Sequence, residues 1–336
     1  MSKFVPTKMG NPMGPILIWE KFHPPQDVRV SFKGQTIIIT GANTGVGFEA
    51  AIKFLESGAK KLILGVRSLK KGEDAQAKME ERTGIKGVVE VWQLDMLNYD
   101  SIQAFSKRAS SELDRLDIAV LNAGVSATKY VKSTYGYEST LQVNVLSTTL
   151  LGLLLLPKLK TSKTNDFTPV LELIGSSSHT VIYDLAKDGN ATPLEVYNKE
   201  IYFDPLSQYS VSKLFLEYAH AGLTKVAGTD VFVTSVCPGA TRSELTRDAR
   251  AIWYFRIILF FLELVQRTGE EGSRTYITGT TMGLKAQGRF IRDDHIQDPS
   301  PMLQGERGAK TQGEVWRNIV AALKQDVPDI DRFITT

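Results

Sequence analysis

Short, evenly apolar runs alternate along the chain with longer stretches whose apolar residues recur at helical spacing. Thr36–Thr40, Leu62–Arg67, Val88–Leu94, Ile118–Leu121, Val170–Ile174 and Val231–Val236 are rich in Val and Ile, the pattern of strands buried on both faces. Between them, Gly45–Glu56, Lys70–Arg82, Tyr99–Leu113, Gly136–Leu156 and Gln208–Val226 gather apolar residues on one helical face. This alternation predicts an α/β fold: a parallel sheet, doubly wound by right-handed crossovers and Rossmann-like. Residues 1–33 read as an N-terminal arm, 34–336 as a single domain, Lys187–Tyr202 as an irregular insertion and Gln297–Gly313 as a long loop. The most apolar run, Leu150–Leu156, ends at Pro157, and Ala251–Val265 carries Arg256 and Glu263. Both fall short of the ~18 residues a spanning helix needs, so no transmembrane span is expected.

Composition narrows the class. With 336 residues, 42% hydrophobic and 23% charged, the chain is an ordinary globular one. Forty Lys plus Arg against 37 Asp plus Glu leave a formal charge of +3 without a basic tract, which gives no footprint for nucleic acid. The single cysteine, Cys237, excludes a disulfide framework and a Cys-based zinc site and fits a reducing, cytoplasmic setting. His23, His179, His220 and His295 show no metal-ligand spacing, and His179 and His220 read as surface or packed side chains.

Two features carry chemistry. The first predicted strand runs into Gly41-Ala42-Asn43-Thr44-Gly45-Val46-Gly47 and then a helix. Glycines there turn the chain sharply, let backbone approach a pyrophosphate and aim the helix N-terminus at it. An NAD-preferring site places an acid on the next strand for the ribose 2′-hydroxyl, but residues 59–68 contain none; Val66 stands there instead, followed by Arg67. A guanidinium matches phosphate in a bidentate, charge-assisted way, so the chain is expected to prefer NADP(H). The second feature is Tyr-x-x-x-Lys, which sets both side chains on one helical face, where an ammonium can lower a phenol pKa from about 10. It occurs twice, as Tyr183/Lys187 and Tyr209/Lys213. Tyr209/Lys213 opens a sustained helical pattern, whereas Tyr183/Lys187 runs into the turn signal Asp188-Gly189-Asn190, so the second pair is favoured.

These residues, with Asn122-Ala123-Gly124, Asn144, the cluster Ser176-Ser177-Ser178 and Pro238-Gly239, stand in the order of the short-chain dehydrogenase/reductase superfamily, which the chain resembles over roughly residues 35–290. Gly65-Val66-Arg67-Ser68, Gly136-Tyr137-Glu138 and Glu270-Glu271-Gly272-Ser273 are similar to the retinol-dehydrogenase-like and protochlorophyllide-reductase-like branch, especially to fungal members associated with secondary metabolism. The resemblance implies a cofactor held by Gly41, Asn43, Thr44, Gly45, Val46, Gly47 and Arg67, with Asp95 and Met96 at the adenine and Asn122, Ala123 and Gly124 along its ribose. It places Pro238, Gly239 and Thr241 at the nicotinamide, Lys213 on the nicotinamide ribose, and Asn144 at a water of a proton relay. Tyr209 would exchange the proton, and one serine hydroxyl would hold the substrate oxygen, Ser176 ahead of Ser177. Thr44 departs from the basic residue that many NADP-dependent members carry at its position, which leaves the phosphate preference resting on Arg67.

Residues from about 242 to 300 are expected to form a substrate lid, with Trp253, Tyr254, Phe255, Phe260 and Phe261 as an aromatic cover for a lipophilic small molecule. An amphipathic helix packed on its own domain, and peripheral membrane contact, are the other readings of that segment. The expected activity is reduction of a lipophilic ketone, with oxidation of a retinoid- or steroid-like alcohol and non-catalytic NADP(H) sensing as rivals. The expected assembly is a monomer or a homodimer.

Overall fold

The structure is a computed structural model that describes residues 4–5, 8–9, 19–242 and 265–334. In chain order the main elements are β1 (Thr36–Thr40), α1 (Gly45–Glu56), β2 (Lys61–Val66), α2 (Leu69–Thr83), β3 (Val89–Gln93), α3 (Tyr99–Glu112), β4 (Ile118–Leu121), α4 (Ser139–Thr161), β5 (Val170–Ile174), α5 (Pro205–Ala227), β6 (Phe232–Cys237), α6 (Gly269–Thr281), β7 (Phe290–Arg292), β8 (His295–Ile296) and α7 (Gly305–Asp326). Among the described residues they build one eight-stranded sheet in the order β3-β2-β1-β4-β5-β6-β7-β8, parallel except for the β7–β8 edge. The order reverses between β1 and β4, and in open sheets of this kind ligands bind at the carboxyl ends of the strands beside such a reversal.

Strands β1, β4 and β5 are buried at every residue because helices cover both faces of the sheet. On one face α3, α4, α5 and α7 pack in a core that includes Phe105, Leu150, Phe215 and Ile319. On the other, α1, α2 and α6 pack around Phe54, Met79 and Ile277. This is the doubly wound arrangement expected from the apolar pattern.

Several boundaries differ from expectation. Helix α4 continues through Pro157 to Thr161, because burial on both sides outweighs the one intrahelical bond a proline removes. Its 23 residues are long and apolar enough to cross a membrane, yet 89% of the qualifying window is buried within the fold, between the sheet and its neighbouring helices. The expected loop Gln297–Gly313 is helical from Gly305 onward; Gly308 fits there because a Cβ would stand 2.6 Å from the Leu303 backbone. Lys187–Tyr202 holds a two-residue strand, a short helix Pro193–Tyr197 with a capping box, and a 3₁₀ turn. The N-terminal arm is tied to this insertion by strand pairing of Phe4–Val5 with Lys187–Asp188 and of Lys8–Met9 with Ile182–Asp184. The expected aromatic cover at Trp253, Tyr254, Phe255, Phe260 and Phe261 lies outside the described residues.

Candidate active site

The carboxyl ends of β1, β2, β4, β5 and β6 open onto a single cleft of about 790 Å³. Its floor begins at the glycine loop. Gly41 and Gly45 have φ of +65° and +63°, a region in which a side chain is strained, and they reverse the chain out of β1 and into α1. A Cβ on Gly47 would lie 2.5 Å from Asn122 Nδ2, so only hydrogen fits there. Helix α1 starts without a side-chain cap at Thr44 and without an acid in its first turn, which leaves backbone N–H donors and the positive end of the helix dipole available to an anion. Gly41, Thr44, Gly45, Val46 and Gly47 line the cleft, whereas Asn43, half-buried between the two glycine reversals, does not.

Arg67 is exposed on the rim at the end of β2, and among the described residues it has no salt-bridge or hydrogen-bond partner. Across from it, Asp95 and Met96 line the wall. One carboxylate oxygen of Asp95 accepts the Leu97 N–H at 3.0 Å, and the Met96 carbonyl is held by Ser147 Oγ at 2.5 Å.

Asn122 is a staple. Its Nδ2 donates to Thr40 O at 2.8 Å and its Oδ1 accepts from the Tyr276 hydroxyl at 2.7 Å, which ties the ends of β1 and β4 to α6. Ala123 N–H adds a bond to Thr40 Oγ1 at 2.9 Å. Sequence reasoning missed Tyr276, which also lines the cleft; the legible signal was the capping box Thr268/Glu271 that starts its helix.

Helices α4 and α5 carry the reactive set, and two contacts lock them together. Buried Glu138 caps α4 by accepting from Thr140 and Leu141 N–H and is met by Gln208 Nε2 at 2.6 Å, next to Tyr209. Asn144 lies in a π-helical turn (Gln142–Ser147), bonds both backbone groups of Val125 at 2.9 Å, and donates to Ser212 Oγ at 3.0 Å. It is fully buried and sits behind the wall rather than on it, with Gly124 between. Both protons of its amide are therefore engaged within the protein.

Tyr209, Lys213 and Ser176 share the wall. Lys213 Nζ lies 5.8 Å from the centre of the Tyr209 ring and donates to Ile174 O at 2.7 Å, which leaves two of its protons for other acceptors. Ser176 Oγ accepts from Ser178 N–H and is hydrogen-bonded to Tyr209. Ser177 is buried elsewhere: its N–H meets Cys237 Sγ at 3.3 Å and it does not line the cleft. The other tyrosine–lysine pair shares no helix, since Tyr183 is half-exposed on the strand Ile182–Asp184. Pro238, Gly239 and Thr241 close the far side, with Thr241 Oγ1 donating to Pro238 O at 3.0 Å.

The electrostatics differ from expectation. Lys213 does not draw the Tyr209 phenol down; burial pushes the phenol up, with the Ser176 hydrogen bond opposing. Burial also lowers Lys213 itself to about 8, against an opposing contribution from Glu217. The site thus holds a protonated phenol next to a cation that titrates near neutrality.

A glycine-lined turn at a helix N-terminus, a cationic rim and Ser176, Tyr209 and Lys213 thus meet in one cleft, an arrangement able to receive a phosphate-bearing ligand and exchange a proton with it. The chain belongs to the short-chain dehydrogenase/reductase family. The profile of that family, described as short chain dehydrogenase, matches residues 35–166. The chain is 37% identical to the short-chain dehydrogenase/reductase ffsI of Aspergillus flavipes over 326 residues, 94% of each chain. It is 36% identical to phmF of Phaeosphaeria nodorum, again over 94% of both. Among solved structures, a short chain dehydrogenase from Shigella flexneri complexed with NADP superposes with a TM-score of 0.55 at 20% identity, covering 80% of this chain and 100% of that one.

Proposed function

We propose that the chain is an NADPH-dependent carbonyl reductase of a lipophilic small-molecule ketone, serving secondary-metabolite biosynthesis. The observation that carries this reading is a phenol kept protonated by burial and hydrogen-bonded to Ser176, on the same wall as Lys213 and facing a cleft that begins at a phosphate cradle. The cradle fits a dinucleotide: the place of a Gly47 Cβ is already filled by Asn122, and α1 presents free N–H donors. Gly41, Thr44, Gly45, Val46 and Gly47 would hold the pyrophosphate, Arg67 the 2′-phosphate and Asp95 the adenine. Lys213 and the Pro238–Thr241 turn would hold the nicotinamide end.

Bound there, the reduced nicotinamide supplies a hydride for the carbonyl carbon. Ser176 donates a hydrogen bond to the carbonyl oxygen, polarising it and fixing its distance from the phenol. Tyr209 then delivers its proton to that oxygen as negative charge builds. Lys213, charged below about pH 8, stabilises the phenolate left behind and orients the ribose through its two uncommitted protons. Asn144 holds the Val125 backbone, and through it the lip of the cleft, and the proton that restores the Tyr209 phenol comes from solvent through the cleft. The reverse reaction requires Tyr209 as a base, and a phenol pushed up by burial suits an acid better.

Helix α7 lies across α5, with Trp316 seated where Gly222 leaves room for it. We take this self-coverage to favour a monomer.

The test is NADPH oxidation against a panel of ketones of graded size and polarity. Tyr209→Phe is expected to lose roughly 10²–10⁴-fold in turnover while NADPH still binds. A variant that kept most of its activity would remove Tyr209 from the mechanism.

A further inference from the structure

Tyr209 and Lys213 stand one turn apart on α5, and one more turn along the same face is Glu217. Glu217 and His220 are 3% exposed and His179 is 1% exposed, so of the two readings of these histidines, surface or packed, the packed one holds. Glu217 Oε1 accepts from Ser235 Oγ at 2.6 Å, and Oε2 lies 3.4 Å from His220 Nδ1. His220 Nε2 meets Val233 O at 3.2 Å, and His179 Nδ1 meets Ser176 O at 2.7 Å. Both ring nitrogens of His220 face oxygen atoms, so the ring is held between the Glu217 carboxylate and the Val233 carbonyl.

Gly175 is the partition between this group and the cleft. It lines the cleft, and a Cβ on it would stand 2.6 Å from both Glu217 Oε1 and Ser235 Oγ. Burial pushes the Glu217 carboxyl up, but the bond from His220, the neighbouring His179 and the Ser235 hydroxyl together hold it below the ordinary range. The carboxylate belongs to the residue one helical turn beyond Lys213, whose protein acceptor among the described residues is the neutral carbonyl of Ile174.

From this geometry we propose that Glu217, oriented by His220, is a positioning residue that supplies the counter-charge keeping Lys213 an ammonium on the cleft wall. The proposal rests on the reductase reading in so far as that reading needs a charged Lys213. Among the described residues, the groups facing Lys213 are Tyr209 and Glu217 on its own helix and Cys237 from β6, with Gly124 after β4 and the neutral Asn144 of α4 close by. The groups facing Glu217 are His220 on its own helix, His179 after β5 and Ser235 from β6. Removing the carboxylate should let burial lower Lys213 further, by about one pH unit. At pH 7.5 that reduces the ammonium fraction roughly threefold.

The test is a titration of the full chain carrying ¹³C at lysine Cε, followed by NMR, with the Lys213 resonance assigned by its absence in Lys213→Arg. The native chain should show one lysine titrating near 8. In Glu217→Gln this midpoint should fall by about one unit, and Glu217→Asp should restore most of it. The double variant Glu217→Gln, His220→Gln replaces the pair by two amides able to bond each other and should show the same fall. An unmoved midpoint in a folded variant, or failure of both glutamine variants to fold, overturns the proposal and leaves the pair a purely structural role. Neither NADPH nor a ketone is present in this measurement. A shifted Lys213 in a chain that oxidises no NADPH would therefore defeat the reductase reading alone, and an unshifted one in an active chain would defeat this inference alone.

Discussion

On the proposed reading Arg67 sets the preference for NADPH, and its surroundings set the size of the effect expected on its removal. The side chain is exposed at the end of β2, among the described residues it has no partner to give up, and residues 59–68 hold no acid that would repel a 2′-phosphate. Just beyond it, α2 begins at the Ser68 cap with Lys70 and Lys71 in its first turn and no acid, so that end of the helix gathers positive charge near a positive dipole end. A hydrogen bond to a charged group contributes about 1.5–3 kcal/mol, and exposure of the guanidinium keeps a bidentate pair near that range rather than doubling it. Arg67→Gln should therefore weaken NADPH binding roughly 10- to 150-fold while leaving NADH within about twofold. Lys70→Ala and Lys71→Ala, being more diffuse, should each cost less than about threefold. Arg67→Asp should add affinity for NADH by offering a carboxylate to the ribose hydroxyl. Dissociation constants for both cofactors, from tryptophan fluorescence quenching at low and high salt, supply the measurement. The native preference should shrink as salt screens the rim. Equal losses for NADPH and NADH, or none for either, would refute the assignment.

Two further substitutions probe the support of the site. Glu172 sits mid-strand in β5 with neither carboxylate oxygen hydrogen-bonded, and burial pushes it well above the carboxylate range, so it is protonated when folded. A folded value above the unfolded one means the stability it contributes is complete below about pH 4.5 and is lost as pH rises towards the folded value, at about 1.4 kcal/mol per unit. Denaturant unfolding should thus show Glu172→Gln gaining steadily on the native chain as pH rises from 5, and a pH-independent difference would contradict it. Gly47→Ala would drive a methyl onto Asn122 Nδ2, displacing the staple between β1, β4 and α6. It should cost about 1–3 kcal/mol in stability and at least about tenfold in NADPH affinity, read by thermal unfolding and by the same quenching assay.

The sheet was legible because helices on both faces make its strands continuously apolar, and β4 and β5 fall at the residues their Val and Ile runs indicate. What escaped the sequence was either too short for a period or fixed by distant contacts. Strands β7 and β8, three and two residues long, offer no alternation to count. Helix α7 begins among glycines that read as loop because the Leu303 backbone that requires Gly308 is not visible in composition. Local spacing placed Tyr209 and Lys213 on one helix, and the fold sets both on the cleft wall, but spacing could not give their electrostatics. Spacing says that Lys213 lies near Tyr209; only the fold shows Lys213 buried and Tyr209 half-buried on the cleft wall, where desolvation is the leading influence on both.

The same distinction explains why α5 was read two residues deep when it is chemically four deep. Tyr209, Lys213, Glu217 and His220 recur at helical spacing, yet Glu217 gains meaning only through Ser235 from β6 and the glycine at the end of β5. In a water-poor cleft a lysine cannot remain charged on a backbone carbonyl alone. Some nearby carboxylate has to share its burial, and among the described residues Glu217 is the acid that acts on it. A tyrosine–lysine spacing thus picks out a pair on one helix face, whereas the charge balance proposed for that pair depends on the group on the far side of Gly175, which the spacing does not reveal.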